Sequence, residues 1–410
     1  MSRRRRCWVV LALLIFAGDV RADRPRVFLL DGAQLDATRQ RWRSGGDPSL
    51  APAVRKLEQD ARMALEAGPF SVTQKDRTPP SGDKHDYMSQ APYWWPDPAK
   101  ADGLPYIRKD GLRNPEILKV TDRTQMKQLS DAVETLAFAY YFTGDEAFAA
   151  RAALLLRTWF IDEATRMNPH LQYAQAIPGV NTGRGIGIIE SASLTNVIDA
   201  IGLLAGSKSW TDADERAMRD WFARYLKWLL ESENGRDEAA AKNNHGTYYD
   251  VQAACYALYV GDDAVARRIL QDVPAKRIAT QVEPDGRQPL ELERTKAWSY
   301  SIMNARGLMR LARLGEHVDV ELWNAQTPDG RGIRKALDFL VPYAAGEQKW
   351  PYEQINGFRS EGAIILLRRA AKQYPDAGYD KVVAKLPPLD ATAIEHLIGY
   401  RLVANELDHR

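Results

Sequence analysis

Apolar side chains in this chain recur mostly at three- and four-residue intervals. After Thr211, the residues Met218, Trp221, Phe222, Tyr225 and Leu229 fall on one helical face. After His245, Val251, Ala254, Cys255, Leu258 and Tyr259 do the same. Alternating strand-like runs are scarce, so the pattern predicts an all-α protein. A repeat punctuates the helices: Phe142-Thr143-Gly144-Asp145-Glu146-Ala147 returns as Tyr259-Val260-Gly261-Asp262-Asp263-Ala264. Weaker copies surround Gly206 and Gly315, and the four glycines (144, 206, 261, 315) lie 62, 55 and 54 residues apart. Each copy reads as a helix, a glycine C-cap, a tight turn and a second helix. A period of that size marks stacked helical hairpins, none of which can bury its apolar face alone. The expected architecture is an (α/α) toroid or incomplete barrel of about five to seven hairpins, forming a single domain over residues 23–410.

That architecture carries a geometric expectation. With the glycine turns at one end of the toroid, the connections between hairpins gather at the other. They are Pro178 to Gly187, Asn234 to Gly246, Glu283 to Tyr300 and Gly346 to Gly357, and they hold most of the unusual polar and aromatic residues. Ahead of the repeats, Ser71 to Glu116 is rich in Pro, Gly and Asp and contains Tyr93-Trp94-Trp95-Pro96-Asp97. A long stretch of this kind in a compact domain reads as a lid over a cleft or as a surface wrap.

Composition narrows the classes. The 410 residues are 45% hydrophobic and 27% charged, enough for a large core and unlike a disordered chain. The N-terminus reads as an export signal: Arg3 to Arg6, an apolar run from Val9 to Ala17, and a small-x-small site at Val20-Arg21-Ala22. The expected product is periplasmic or secreted, cleaved after Ala22. Cleavage removes five arginines and Asp19 from 56 basic and 54 acidic residues, leaving 51 and 53, a net charge of −2. Bulk charge therefore points away from nucleic acid, and an anionic polymer would need a local basic groove. No membrane span is expected after signal cleavage, because no later run reads as long and apolar enough. Cys7 leaves with the signal, so Cys255 has no intramolecular partner. Oligomeric state has no signature here. Eleven Trp and seventeen Tyr offer flat faces for sugar rings, although most such side chains fill cores.

The chemistry concentrates in Asn243-Asn244-His245-Gly246, with Arg294 and Tyr300 about fifty residues on. One asparagine suits the N-cap of the helix that follows, which puts His245 in the first turn, where the dipole favours a neutral imidazole and attracts anions. Amides, imidazole, guanidinium and phenol together suit β-elimination on a uronic acid. The carboxylate at carbon-6 must be neutralised, a base must take the carbon-5 proton, and an acid must protonate the leaving oxygen at carbon-4. Arginine pairs with a carboxylate bidentately and is expected to lower the phenol's pKa. The chain has no His-Glu-x-x-His and no Gly-x-Ser-x-Gly, so neither a metal site nor a serine hydrolase is indicated. One rival is a glycoside hydrolase on a similar toroid, using two of Asp250, Glu283, Asp285 and Glu291. Another is an exported, non-catalytic polysaccharide-binding protein that uses the aromatic rim.

Several longer motifs carry a resemblance. Ala91-Pro92-Tyr93-Trp94-Trp95-Pro96-Asp97-Pro98, Gly103-Leu104-Pro105-Tyr106-Ile107-Arg108 and Asn114-Pro115-Glu116 are three of them. Asn181-Thr182-Gly183-Arg184-Gly185, Asn243-Asn244-His245-Gly246-Thr247, Glu283-Pro284-Asp285-Gly286 and Pro289-Leu290-Glu291 are the others. Together, from about Asp83 to Tyr352, they resemble the alginate lyase family. The resemblance implies an α/α toroid that cleaves uronate polysaccharides, chiefly alginate, by β-elimination with no metal or cofactor. It places the family's Asn-His pair on Asn244 and His245, its arginine on Arg294 and its tyrosine on Tyr300. The Arg294–Tyr300 spacing is one residue shorter than in the best-described mannuronate-specific members. Lys296 is thus an alternative cation, and glucuronan or mixed uronates are alternative substrates. In this reading Tyr300 is base and acid in a syn elimination, and His245 becomes the base in an anti elimination. Further expected substrate contacts are Tyr93, Trp94, Arg184, Asn243, Tyr248, Trp350 and Tyr352.

Overall fold

The computed structural model describes residues 24–399, so the export signal lies outside the described residues. Two N-terminal helices, α1 (Gly32–Arg43) and α2 (Ala51–Ala64), precede four central hairpins. These pair α3 (Asp122–Thr143) with α4 (Glu146–Leu156) and α5 (Leu194–Leu203) with α6 (Asp212–Glu231). A rim helix, α7 (Glu233–Ala240), leads to α8 (Asn244–Val260), which pairs with α9 (Asp263–Val273). Short rim helices α10 (Ala279–Gln281) and α11 (Pro289–Leu292) come before α12 (Ala297–Gly315), whose partner is α13 (Ile333–Ala344). Helices α14 (Glu361–Gln373), α15 (Tyr379–Val383) and α16 (Glu395–Ile398) close the ring against α1 and α2.

The contacts separate two layers. Helices α3, α5, α8 and α12 pack in series as an inner wall, while α4, α6, α9 and α13 lie outside them. Burial follows this division. The inner α8 is buried on all sides from Gly246 to Tyr259, whereas the outer α6 buries Met218, Trp221, Phe222, Tyr225, Leu226 and Leu229 and leaves its charged face to water. Trp221 sits edge-on to Phe160 with centroids 4.8 Å apart, and Phe222 lies 5.0 Å from Tyr256 on α8. Burying a side chain such as Phe222 contributes roughly 2–3 kcal/mol. This shared aromatic seam holds the layers together.

The repeated Gly-Asp pair is a turn with a defined mechanism. Gly144 and Gly261 adopt left-handed φ of 79° and 90° at the ends of α3 and α8. The next residue caps the following helix: Asp145 accepts from the Ala147 N–H and Asp262 from the Val265 N–H. Gly206 is left-handed too, at φ 85°. Gly315 departs from the expectation. It is the last residue of α12 and has no left-handed φ. A Cβ there would come within 2.3 Å of the Val320 carbonyl oxygen, and Asp319 takes the left-handed turn instead, at φ 56°.

A second departure concerns membrane-length segments. Residues 185–203, a 3₁₀ run leading into α5, are long and apolar enough to cross a bilayer, yet 83% of that window is buried inside the protein. It is apolar because it forms inner wall.

At the end opposite the Gly-Asp turns, the rim is largely irregular. Two small pairings brace it: β1 (Met88–Gln90) runs parallel to β4 (Tyr173–Ala176), and β2 (Trp94–Trp95) pairs antiparallel with β3 (Ile107–Arg108). The Ser71–Glu116 segment is fastened at several points. The fully buried Lys75 pairs with Asp122 at 3.0 Å and donates to the carbonyls of Val72 and Lys84. Tyr87 and Ser89 both donate to Glu190.

Candidate active site

The start of α8 shows how local sequence sets the site. Asn243 is the N-cap, its side chain accepting from the His245 N–H at 3.2 Å. Gly246 follows because a Cβ would meet the Ala241 oxygen at 2.1 Å and Arg277 Nη1 at 2.2 Å. Arg277 is fully buried, pairs with Asp250 at 2.6 Å and donates to the carbonyls of Ala239 and Ala241. The loop entering α8 is therefore clamped from below. Asn244 is fully buried: its backbone N–H and its amide Nδ2 both donate to the Glu291 carboxylate, at 2.6 and 2.8 Å. His245 stays partly open, with Nδ1 2.7 Å from Glu238 Oε1. A carboxylate oxygen accepts, so Nδ1 carries the hydrogen and Nε2 is left as the free nitrogen.

Arg294 and Tyr300 form the facing half. Residues 293–296 precede the helical start at Ala297, which lets Arg294 fold back over the first turn of α12. Its guanidinium lies 3.9 Å from the Tyr300 ring centroid, and Nη2 donates to the Tyr300 hydroxyl at 2.9 Å. The Tyr93 hydroxyl, from the Ser71–Glu116 segment, is 3.0 Å from the same oxygen. Asp110 pairs with Arg294 from behind, at 2.8 Å and 3.1 Å.

These groups share one pocket of about 320 Å³. Its lining includes Tyr93, Trp94, Arg184, Asn243, Asn244, His245, Arg294 and Tyr300, together with Arg108, Arg113, Arg123 and Lys127. Glu190 is its one carboxylate among the lining residues, and Tyr87, Ser89 and Arg123 (3.6 Å) hold it. Arg184 lies 5.9 Å from the Trp94 ring centroid and donates to Gln175 at 2.9 Å, with its Nε buried and unpartnered. A nearly neutral protein thus concentrates cations in one cleft, the arrangement an anionic polymer requires.

The electrostatics correct one expectation. Burial pushes the Tyr300 phenol well above its ordinary range and neighbouring Tyr93 adds to this, so the lowering by Arg294 does not prevail. In the resting site Tyr300 is a phenol that can donate a proton. The Arg294 pair holds the Asp110 carboxyl far below the usual range against the opposing effect of burial. Burial lowers Arg184, which has no carboxylate within ion-pair distance among the described residues.

Other expected contacts fall elsewhere. Tyr248 is fully buried beneath the pocket and donates to the Met303 carbonyl at 3.3 Å, so it supports the floor and cannot touch a ligand. Trp350 is buried against Trp298 and Tyr343 at 5.0 Å each, with the Tyr352 ring tilted against it at 5.1 Å. Neither lines the pocket. Lys296 is the residue before α12, bridging by its backbone to Gln354, and is also outside the lining. The carboxylates considered for hydrolysis are similarly removed. Asp250 serves Arg277, Glu291 serves Asn244, and Glu283 and Asp285 pair with Arg287 on the surface.

The residues that sequence reasoning missed are the supporting ones. Glu238 shares no short motif with His245, and Asp110 lies 184 positions from Arg294. Only the fold reveals either pairing. Among the described residues, no group of three or more His, Cys, Asp or Glu is arranged to hold a metal ion.

An inner-and-outer helical ring with a basic, tyrosine- and histidine-bearing pocket on one rim is the frame of a polysaccharide lyase of the α/α toroid class. The alginate lyase family profile matches residues 71–350, and the chain belongs to that family. A crystal structure of an alginate lyase from Bacteroides ovatus superposes with a TM-score of 0.88 at 44% identity, covering 92% of this chain and 100% of that one. Alginate lyase A1-III from Sphingomonas species A1 matches with a TM-score of 0.58 at 17% identity, over 91% of this chain and 94% of the other. A variant of that enzyme complexed with tetrasaccharide gives 0.59 at 16% identity, over 92% and 97%. At that identity the A1-III likeness concerns the fold. No curated protein matches the chain significantly.

Proposed function

We propose that this protein cleaves 4-linked uronate polymers, alginate first among them, by β-elimination, leaving an unsaturated sugar at the new non-reducing end. One observation carries the reading: Tyr93, Tyr300 and Arg294 are hydrogen-bonded in line within the basic pocket that holds Asn244 and His245. Family membership and the 44%-identical alginate lyase structure support the choice of polymer.

The geometry supports the following residue roles. Arg294, whose Nη1 meets no partner among the described residues, receives the carbon-6 carboxylate and draws charge from carbon-5, while Asn244, with its amide and backbone N–H on Glu291, holds the loop that carries His245. The carbon-5 hydrogen leaves as a proton, its electrons form the carbon-4–carbon-5 double bond, and the bond to the carbon-4 oxygen breaks. Tyr300 returns a proton to that oxygen. The protonated phenol suits this acid role directly. For guluronate, whose hydrogen lies opposite the leaving group, His245 Nε2 is the base, held by Glu238. For mannuronate or glucuronate, Tyr300 first gives its own proton to solvent water, Arg294 and Tyr93 donate to the resulting phenolate, and that phenolate takes the carbon-5 proton on the leaving-group side and passes it to the carbon-4 oxygen. Trp94 offers a ring face and Arg184 an unpaired cation for a neighbouring sugar. The aromatic residues also fit simple binding, but a protein that only binds has no use for a phenol and an imidazole set at one pocket.

Ultraviolet absorbance of the unsaturated product, followed on polymannuronate, polyguluronate and glucuronan, tests the reading. A rise on one of them supports elimination and identifies the substrate. Chain shortening without absorbance would mean hydrolysis, and sugar binding with no shortening would mean a binding protein. Export to the periplasm or beyond is part of the same proposal, and the N-terminal residue of the mature protein would check it.

A further inference from the structure

The Asp110–Gly111 turn docks on the loop that carries Arg294, and the contact is unusually close. The Asp110 carboxylate accepts from Arg294 Nε at 3.1 Å and Nη2 at 2.8 Å, and from the Thr295 N–H and hydroxyl at 3.3 and 3.1 Å. Arg108 Nη2 adds a fifth donor at 2.7 Å. Independently, Gly111 is left-handed (φ 73°), and a Cβ there would stand 2.4 Å from Thr295 Oγ1 and 2.7 Å from Ile355 Cδ1. Only a glycine lets the turn sit this low. Just beyond it, the Ile355 N–H donates to the Thr295 carbonyl and the Ala297 N–H to Glu353, so the loop is held on its other side as well.

The consequence for Arg294 is directional. A guanidinium has five hydrogens in a fixed plane. Asp110 takes the Nε–Nη2 edge side-on, which fixes the plane. The second Nη2 hydrogen then points at Tyr300, and Nη1 is the nitrogen left without a partner among the described residues. The same segment delivers Tyr93 to Tyr300. We propose that Asp110 is the positioning residue of the elimination centre: by seating the Ser71–Glu116 segment on Thr295 and gripping one edge of Arg294, it aims that guanidinium at Tyr300 and the substrate carboxylate together. The segment is thus part of the centre and not only its cover. This rests on the roles proposed for Arg294 and Tyr300.

The test compares wild type, Asp110→Asn, Asp110→Glu and Gly111→Ala with Tyr300→Phe, measuring kcat, KM and pH–rate profiles by product absorbance and folding by thermal melting. Misplacing a positioning group by about 1 Å costs about a hundredfold in rate. Asp110→Asn is therefore expected to lose about a hundredfold in kcat with a much smaller change in KM. Its alkaline limb should move to lower pH, because Arg294, relieved of its counter-charge, stabilises the Tyr300 phenolate. Asp110→Glu should recover part of the rate, and Gly111→Ala, which keeps the carboxylate but lifts the turn, should lose rate with the same pH signature. The proposal is overturned by wild-type kcat and pH profile in Asp110→Asn, or by a loss that follows only the unfolded fraction with an unmoved profile. Full activity in Tyr300→Phe would instead remove the reading on which it rests, whatever Asp110 does.

Discussion

The α6–α8 seam and the rim pocket are built from opposite materials. In the seam, Phe160, Trp221, Phe222, Tyr225 and Tyr256 fill space against one another, and their energy is spread over many weak contacts. In the pocket, Glu238–His245, Glu291–Asn244 and Asp110–Arg294 each fix one side chain in one direction. The first arrangement sets how much stability the ring has. The second sets where a few atoms point, and contributes to function out of proportion to its area. Damage to the seam should therefore appear in melting temperature, and damage to the pocket in rate.

The largest separation of the two is expected from Trp221→Ala. It empties a fully buried site and orphans the Met167 carbonyl, which Trp221 Nε1 meets at 2.8 Å. The cost should be about 3–5 kcal/mol of unfolding free energy in denaturant titration, with activity per folded molecule retained. A comparable effect on the other axis is expected from His245→Ala, which should reduce kcat/KM by about 10²–10³-fold on polyguluronate while leaving the melt unchanged. If His245→Ala instead unfolds the protein, the comparison breaks. Arg184→Ala should be milder, raising KM by about tenfold with kcat nearly constant, since its unpaired charge is assigned to binding away from the reacting carbons.

The smallest expected effect is at the start of α6. Thr211 and Asp214 form a capping box, and the side-chain bond from Arg157 lowers the Asp214 carboxyl to about 2. Its folded value lies below the unfolded one, so the stabilisation is fully present above about pH 4 and is lost as pH falls towards 2. Asp214→Asn should cost about 1 kcal/mol near neutrality, and its melting-temperature gap to wild type should close across that acid window.

Legibility in the sequence divides along the same line. The toroid is a matter of periodicity, and the Gly-Asp repeat announces its turns because only glycine takes the left-handed cap cheaply and aspartate caps the next helix. Gly315 misled for a clear reason: a glycine required by a close carbonyl looks the same in sequence as one required by a turn. Asn243, Asn244, His245, Arg294, Tyr300, Tyr93, Trp94 and Arg184 were readable from motifs, and the structure gathers them at one pocket. Tyr248 was misplaced because an i+3 neighbour of His245 on a wholly buried helix faces the interior. Trp350 and Tyr352 lie in a rim connection, yet their rings pack on Trp298 and on each other. The phenol's acidity was misjudged because sequence shows the arginine but not the burial. Glu238 and Asp110 carry no local signal, and Glu291 stands in a motif that does not reveal its partner, since each pairing is made by the fold.

The most direct test of the central claim is product absorbance from Tyr300→Phe on the polymer that wild type degrades best. Phenylalanine keeps the ring under Arg294 and removes only the oxygen shared by Arg294 and Tyr93. The account predicts a folded protein that still binds polymer and has lost about 10³-fold or more in kcat. Retention of wild-type absorbance growth by that variant would contradict it.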